Sequence, residues 1–208
     1  MPPPEYAELH CWSNFTFLEG GSHPEELVEC GAALGLRAVA LTDRDGIYGA
    51  VRFAKHAQPA KLGAILGAEL TLELDGEGGV PRKTARPAHE MPTRSPRIVL
   101  LAQDERGYAN LAEAISTAQL RGRKRDARLL LRDLDGKTQG LVALSGGPNG
   151  LPERALQAGD ENAALAIGAE LRDLFPGAFF CEVQHHLRPQ DGALAQGMIR
   201  LAGRLGVP

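Results

Sequence analysis

Long apolar runs are missing from these 208 residues. No stretch approaches the roughly 20 consecutive apolar positions that cross a bilayer. The opening Met1-Pro2-Pro3-Pro4-Glu5 has neither a basic region nor an apolar core, so no export signal is expected and cytoplasmic residence is. Cysteine is scarce too. Cys11, Cys30 and Cys181 are odd in number, far apart and without a Cys-x-x-Cys pair, which reads as free thiols rather than a disulfide framework or a zinc knuckle. Excess positive charge is also lacking, because a net charge of −3 argues against a protein that coats nucleic acid. No Gly-rich phosphate loop of the Walker type is present. What remains is an apolar content of 43%, ordinary for a globular chain long enough for one well-cored domain or two small ones.

Strand-like and helix-like runs alternate along the chain. Ala7 to Cys11 reads as a short strand, and Ser22 as a helix N-cap with Pro24 in the first turn and Gly35 as the stop. Arg37 to Thr42 reads as a buried strand, Gly49 to Ala57 as a helix, Gly63 to Leu74 as one or two strands, and Ile98 to Gln103 as another. Gly107 to Leu120 has clear helical periodicity. Gly140 to Ser145 then reads as a strand, Glu161 to Leu174 as a helix, Ala178 to Gln184 as a strand, and Asp191 to Leu205 as a helix ending at Gly206. This order predicts an α/β domain with parallel strands, since parallel neighbours need crossover connections. A barrel and an open doubly wound sheet fit the pattern equally. Residues 80–96, rich in Pro, Arg and Thr, read as a mobile surface insertion. No repeat and no domain linker is visible.

Particular segments go further than the pattern. Glu8-Leu9-His10-Cys11-Trp12, Phe17-Leu18-Glu19-Gly20-Gly21, Leu41-Thr42-Asp43-Arg44-Asp45-Gly46, Gly67-Ala68-Glu69 and Leu144-Ser145-Gly146-Gly147 resemble, in order, the motifs of a PHP domain. That is the N-terminal phosphoesterase-type domain of bacterial C-family DNA polymerases. The wording of Ser22-His23-Pro24-Glu25-Glu26-Leu27 and Gln184-His185-His186-Leu187-Arg188-Pro189 is closest to the error-prone branch. The resemblance covers nearly all of residues 1–208. It implies a distorted (βα)7 barrel with its site at the carboxyl ends of the strands. It also implies a last strand and an Asp-x-His ligand pair beyond Val207-Pro208. The expectation is therefore of a PHP domain lacking its last strand, whose unpaired edge is covered by remaining polymerase domains or another replication or repair protein.

Family PHP sites hold divalent zinc, manganese or iron, and the resemblance allows the site to be audited by position. His10 stands in the first ligand position, Glu69 in the bridging-acid position, and Glu19 where an aspartate is usual. Trp12 replaces the second histidine of His-x-His, and an indole N–H has no lone pair for a metal. Arg44 replaces another histidine, Arg97 stands where many members have one, and Gly147 where a cysteine or histidine is usual. A guanidinium near a divalent ion is repelled by it. At ~4 Å in a partly screened cleft each unit-charge interaction is on the order of 4 kcal/mol, and a divalent ion doubles it. The resemblance thus implies a degenerate metal site without a cofactor, in which Arg44 pairs with Glu69, Glu19 or Asp43.

Asp43 is expected to orient its turn, Cys11 to point away from the ligand positions, and the adjacent His185 and His186 to be structural or solvent-facing rather than to share one ion. A locally basic stretch from Arg82 to Arg132 centres on Arg121, Arg123, Lys124 and Arg125. It could touch duplex phosphates weakly, but it lacks the interleaved aromatics that bind single strands. The expected role is that of a structural or protein-contact module of an error-prone polymerase, an enzyme of DNA replication, repair and translesion synthesis. The family's nucleotidyl transfer uses magnesium at a palm domain outside this chain. Two alternatives stand beside this: an active metal-dependent phosphoesterase or 3'–5' exonuclease, and a stand-alone DNA-contacting regulatory module.

Overall fold

The computed structural model describes residues 6–73, 95–122 and 126–208. The strands are β1 (Ala7–Cys11), β2 (Ala38–Leu41), β3 (Gly63–Thr71), β4 (Arg97–Ala102), β5 (Leu141–Leu144) and β6 (Phe179–Phe180). Helices α1 (Pro24–Ala33), α2 (Ala50–Ala60), α3 (Glu105–Arg121), α4 (Leu151–Gln157), α5 (Glu161–Leu174) and α6 (Asp191–Leu205) connect or follow them. Helix ends follow local chemistry. Asp104 and Asp160 cap α3 and α5 by accepting from the Gly107 and Ala163 amides, and Gly206 ends α6 in the left-handed conformation at φ 67. The cap of α1 is His23 rather than Ser22, with Glu26 accepting from the His23 amide.

One mixed sheet runs β1-β2-β3-β4-β5-β6. The expectation of parallel strands throughout is corrected here: β1/β2, β2/β3 and β5/β6 are parallel, whereas β3/β4 and β4/β5 are antiparallel. β4 thus runs against both of its neighbours, and after α3 the chain first passes along the end of β3, Leu129 bonding to the Thr71 and Glu73 backbone, before a 3₁₀ turn at Leu131–Leu134 leads to β5. A helix between two strands permits parallel pairing without enforcing it. β3 itself changes partner midway, pairing with β2 through residues 63–66 and with β4 through residues 67–71.

Alternation along β4 sorts its side chains. Ile98 and Leu100 face the main core with Leu70, Leu111, Leu171 and Met198, while Val99 and Leu101 join Ala40 and Leu144 in a smaller cluster. A third cluster, Val28, Val39, Leu41 and Phe53, sits under α1 and α2. Among the described residues no helix is long and apolar enough to cross a membrane. The strand expected over Ala178 to Gln184 is only two residues long, because β5 offers just Ala143 and Leu144 as partners. Residues 80–94 of the expected insertion lie outside the described residues; Pro96 accepts from the Leu72 amide and leads into β4.

Candidate functional site

The site forms where β1, β2, β3, β5 and β6 finish and where β4, running the other way, begins. That reversal brings Arg97, the first residue of β4, beside Glu69 near the end of β3. The loop after β1 is pinned from below by Asp43, which is 1% exposed. Its carboxylate accepts from the Ser13 amide and hydroxyl, both at 2.7 Å, and from the Thr16 hydroxyl at 2.8 Å. Asp43 therefore orients the turn, as its position suggests. Gly20 closes it, because a Cβ there would lie 1.9 Å from the Ser13 carbonyl oxygen.

Ion pairs fill the space between the strand ends. Glu69 Oε2 accepts from Arg97 at 2.8 Å and from Arg44 Nε at 3.2 Å. Arg44 also forks onto both oxygens of Glu19 and lies 5.4 Å from the centre of the Trp12 ring, a cation–π distance. His10 Nδ1 bonds Glu182 at 2.7 Å. Its Nε2 sits 3.6 Å from Glu69 Oε1, an ion-pair contact too long for a hydrogen bond, and neither atom has another partner. His10, Arg44 and Arg97 thus face Glu19, Glu69 and Glu182, three cations against three carboxylates.

The protonation states follow from this arrangement. Burial opposes charge on His10, but bonding to Glu182 and the nearness of Glu69 outweigh it and raise its pKa to about 10. Burial alone would raise Glu69; His10, Arg97 and Arg44 instead hold its carboxyl below the usual range. Burial depresses Arg97, with Glu69 opposing and Arg44 adding to the effect, yet a guanidinium remains charged in any ordinary setting.

A divalent metal does not fit the donor set shown. Glu69 Oε2 is occupied by two guanidiniums, Glu19 is taken by Arg44, and Trp12 offers only an N–H. Among the described residues no group of three or more His, Cys, Asp or Glu side chains is arranged to hold an ion. Among the described residues of the site, the buried His10 Nε2, Glu69 Oε1, Trp12 Nε1 and Glu182 Oε2 are without hydrogen bonds, the first two facing one another. His10 and Glu69 line a cleft of about 970 Å³ that also borders Trp12, Gln184, Leu156 and Leu194.

The remaining sequence candidates fall as follows. Gly147 lies against the Gln184 carboxamide in left-handed backbone at φ 59, so a side chain there would meet Gln184 at 2.9 Å. Arg121 is forked by Asp133 rather than presented outward. Arg123, Lys124 and Arg125 lie outside the described residues. His185 and His186 are exposed; His186 bonds Gln184 at 3.2 Å. Cys11 packs beside the Val28 and Phe53 cluster. Two residues escaped the sequence reading. Glu182 was signalled only by its place two positions before Gln184, on the same side of an extended run. Glu153, on the unforeseen helix α4, is fully buried and bonded by the Ser145 hydroxyl.

The mixed α/β sheet with a polar site at its strand ends is a fold shared with solved structures that overlay on this chain. A Bifidobacterium adolescentis protein, described as a candidate metal-dependent phosphoesterase, matches with a TM-score of 0.58 at 17% identity, over 100% of this chain and 86% of that one. An amidohydrolase from Chromobacterium violaceum, solved with sulfate and without metal, gives 0.53 at 17% identity, over 97% and 84%. More particularly, the family model for the PHP domain matches residues 8–186, and the chain belongs to the PHP-domain family. Relatives at higher identity are named error-prone DNA polymerase. The protein from Mycobacterium bovis is 39% identical over 207 residues, 97% of this chain and 18% of its own length. That from Ralstonia nicotianae is 46% identical over 147 residues, 70% of this chain and 12% of its own. The chain thus spans less than a fifth of either relative.

Proposed function

We propose that this chain is the PHP module of an error-prone type of DNA polymerase, working in the cytoplasm in DNA replication and translesion synthesis, and that its site is structural rather than hydrolytic. The observation that carries this reading is the occupation of Glu69 Oε2 by Arg44 and Arg97. The guanidiniums supply the positive charge that a metal would bring, so no zinc, manganese or iron is needed to keep the carboxylates together. The remaining polymerase domains are the proposed partners. A contact role is supported by Phe17 and Leu18, which are 81% and 101% exposed at the tip of the pinned loop, with Leu18 in left-handed backbone at φ 66. Such rigidly presented apolar side chains suit docking. DNA contact is weak on this reading, since Arg121 is engaged by Asp133.

The test combines metal content with turnover. After expression with added zinc and manganese, the purified chain should hold no stoichiometric metal and show no phosphatase or nuclease rate above background. A second reading, a metal-dependent phosphoesterase or 3'–5' exonuclease, draws on His10 and Glu69, which line the cleft, while Glu182 holds the imidazole through Nδ1. Two or three bound ions and a rate abolished by His10→Ala would establish that reading instead.

A further inference from the structure

Among the described residues, β1 and β6 are the two edges of the sheet, and no backbone ladder joins them. Neither edge has a long hold on its neighbour. β6 pairs with β5 through two residues only, and the register of β1 on β2 is interrupted between Glu8 and Cys11. Even so, the two edges approach closely enough for His10 on β1 to bond Glu182, just past β6, at 2.7 Å. Gln184 supports the acceptor side of the contact, its amide nitrogen donating to Glu182 Oε1 at 2.5 Å; that nitrogen and the protonated His10 Nδ1 are both donors, so their 3.0 Å approach is not itself a hydrogen bond.

We propose that His10, Glu182 and Gln184 form a polar latch that fastens β1 to β6, the edge strands of the described sheet, across a gap that no ladder among the described residues bridges. The latch deepens the structural role proposed above, and each side of it is anchored in the interior. On the β1 side, His10 is braced by Glu69 and by the edge of Trp12, their ring centroids 5.8 Å apart. On the β6 side, the Glu182 amide donates to the Ser145 hydroxyl at 2.9 Å, and that hydroxyl donates to the buried Glu153 of α4. His10 side-chain burial of all but 5%, with Glu182 at 10%, shields the bond from water, which strengthens it relative to a surface pair. The free edges are blunted locally. The His10 amide is bonded by the carboxylate of Glu8, and the Cys181 amide by the Pro208 carbonyl. Neither of those contacts crosses the gap. Glu182 and Gln184 are positioning residues here, acting on His10 and through it on the Glu69 cluster.

Hydrogen exchange on the 208-residue chain separates a latch from general stability. In Glu182→Ala, amides in residues 7–12 and 179–186 should exchange about tenfold faster or more, while residues 97–102 in the core change by less than about twofold. Unchanged edges, or acceleration of residues 97–102 along with them, would overturn the proposal. If Glu182→Ala does not fold, Glu182→Gln, which keeps an acceptor without the charge, should raise exchange in the same two segments by a smaller factor, and no rise there would equally defeat it. Metal content and turnover play no part in this readout, so its failure is distinct from failure of the structural reading of the site.

Discussion

Two glutamates at the same end of the sheet, Glu69 and Glu153, are each 1% exposed, yet their carboxyls are driven in opposite directions. Glu69 has His10, Arg44 and Arg97 around it and is held below the usual range. Among the described residues no cation pairs with Glu153, and His10 lowers its pKa only as the smallest of the causes. Burial pushes it up to about 8, the Ser145 hydroxyl and its own backbone only partly opposing, and its Oε2 is without a partner. Burial is therefore common to both sites, and the partners decide the charge. Glu69 is a carboxylate that cannot be left alone; Glu153 is a neutral acid at pH 7 that serves as a hydrogen-bonding brace.

Removing the partners should expose that difference. Arg97→Met leaves Glu69 buried with one guanidinium fewer, and breaking a buried pair of this kind costs about 3–5 kcal/mol, less where water enters. A fall of that size in unfolding free energy, measured in urea at pH 7, is expected. The matching change at the other acid, Glu153→Gln, should cause no loss of stability at pH 7 and is expected to raise it, because the wild-type side chain must take up a proton on folding and the amide need not.

Titration sharpens the contrast. Glu153 has a folded pKa raised above the ordinary 4.5 to about 8, so its stabilising contribution is complete below 4.5 and is lost as pH rises through about 8. His10 behaves in the same sense over a later window, from 6.5 up to about 10. Glu69, with a lowered folded pKa, contributes above 4.5 and loses its contribution as pH falls below that value. Glu153→Gln should therefore flatten the decline in stability between pH 5 and 8 and leave the acid limb unchanged. A variant whose decline is as steep as before would mean that Glu153 is ionised in the fold. The smallest effect is expected at Arg121, whose 31% exposed side chain forms a surface pair with Asp133. Arg121→Ala should cost no more than about 1 kcal/mol and leave any salt-dependent DNA affinity unchanged.

Much of the fold was legible because its signals are local. β1, α5 and α6 lie over the residues that periodicity and caps mark, and Gly206 ends α6 where a left-handed stop belongs. Helix α4 was not legible, since its seven residues follow Gly146-Gly147-Pro148 and are too short for a helical period to stand out. Strand direction escaped as well, because the reversal of β4 is expressed only in its pairing with β3 and β5, which periodicity along the chain does not report. The same holds for the site. Arg44 beside Glu19 and Glu69 could be anticipated from a shared set of motif positions, whereas Arg97 as partner of Glu69 follows from the antiparallel register, and Glu182 as partner of His10 depends on the curl of the whole sheet.

The central claim, that guanidiniums hold Glu69 where a metal would otherwise do so, is tested most directly by a double-mutant cycle of Arg97→Met and Glu69→Gln. If the two groups stabilise each other, the double variant should be less destabilised than the sum of the single ones, with a coupling of about 1.5–3 kcal/mol in urea unfolding at pH 7. Additive single effects, with coupling within about 0.5 kcal/mol of zero, would contradict the account.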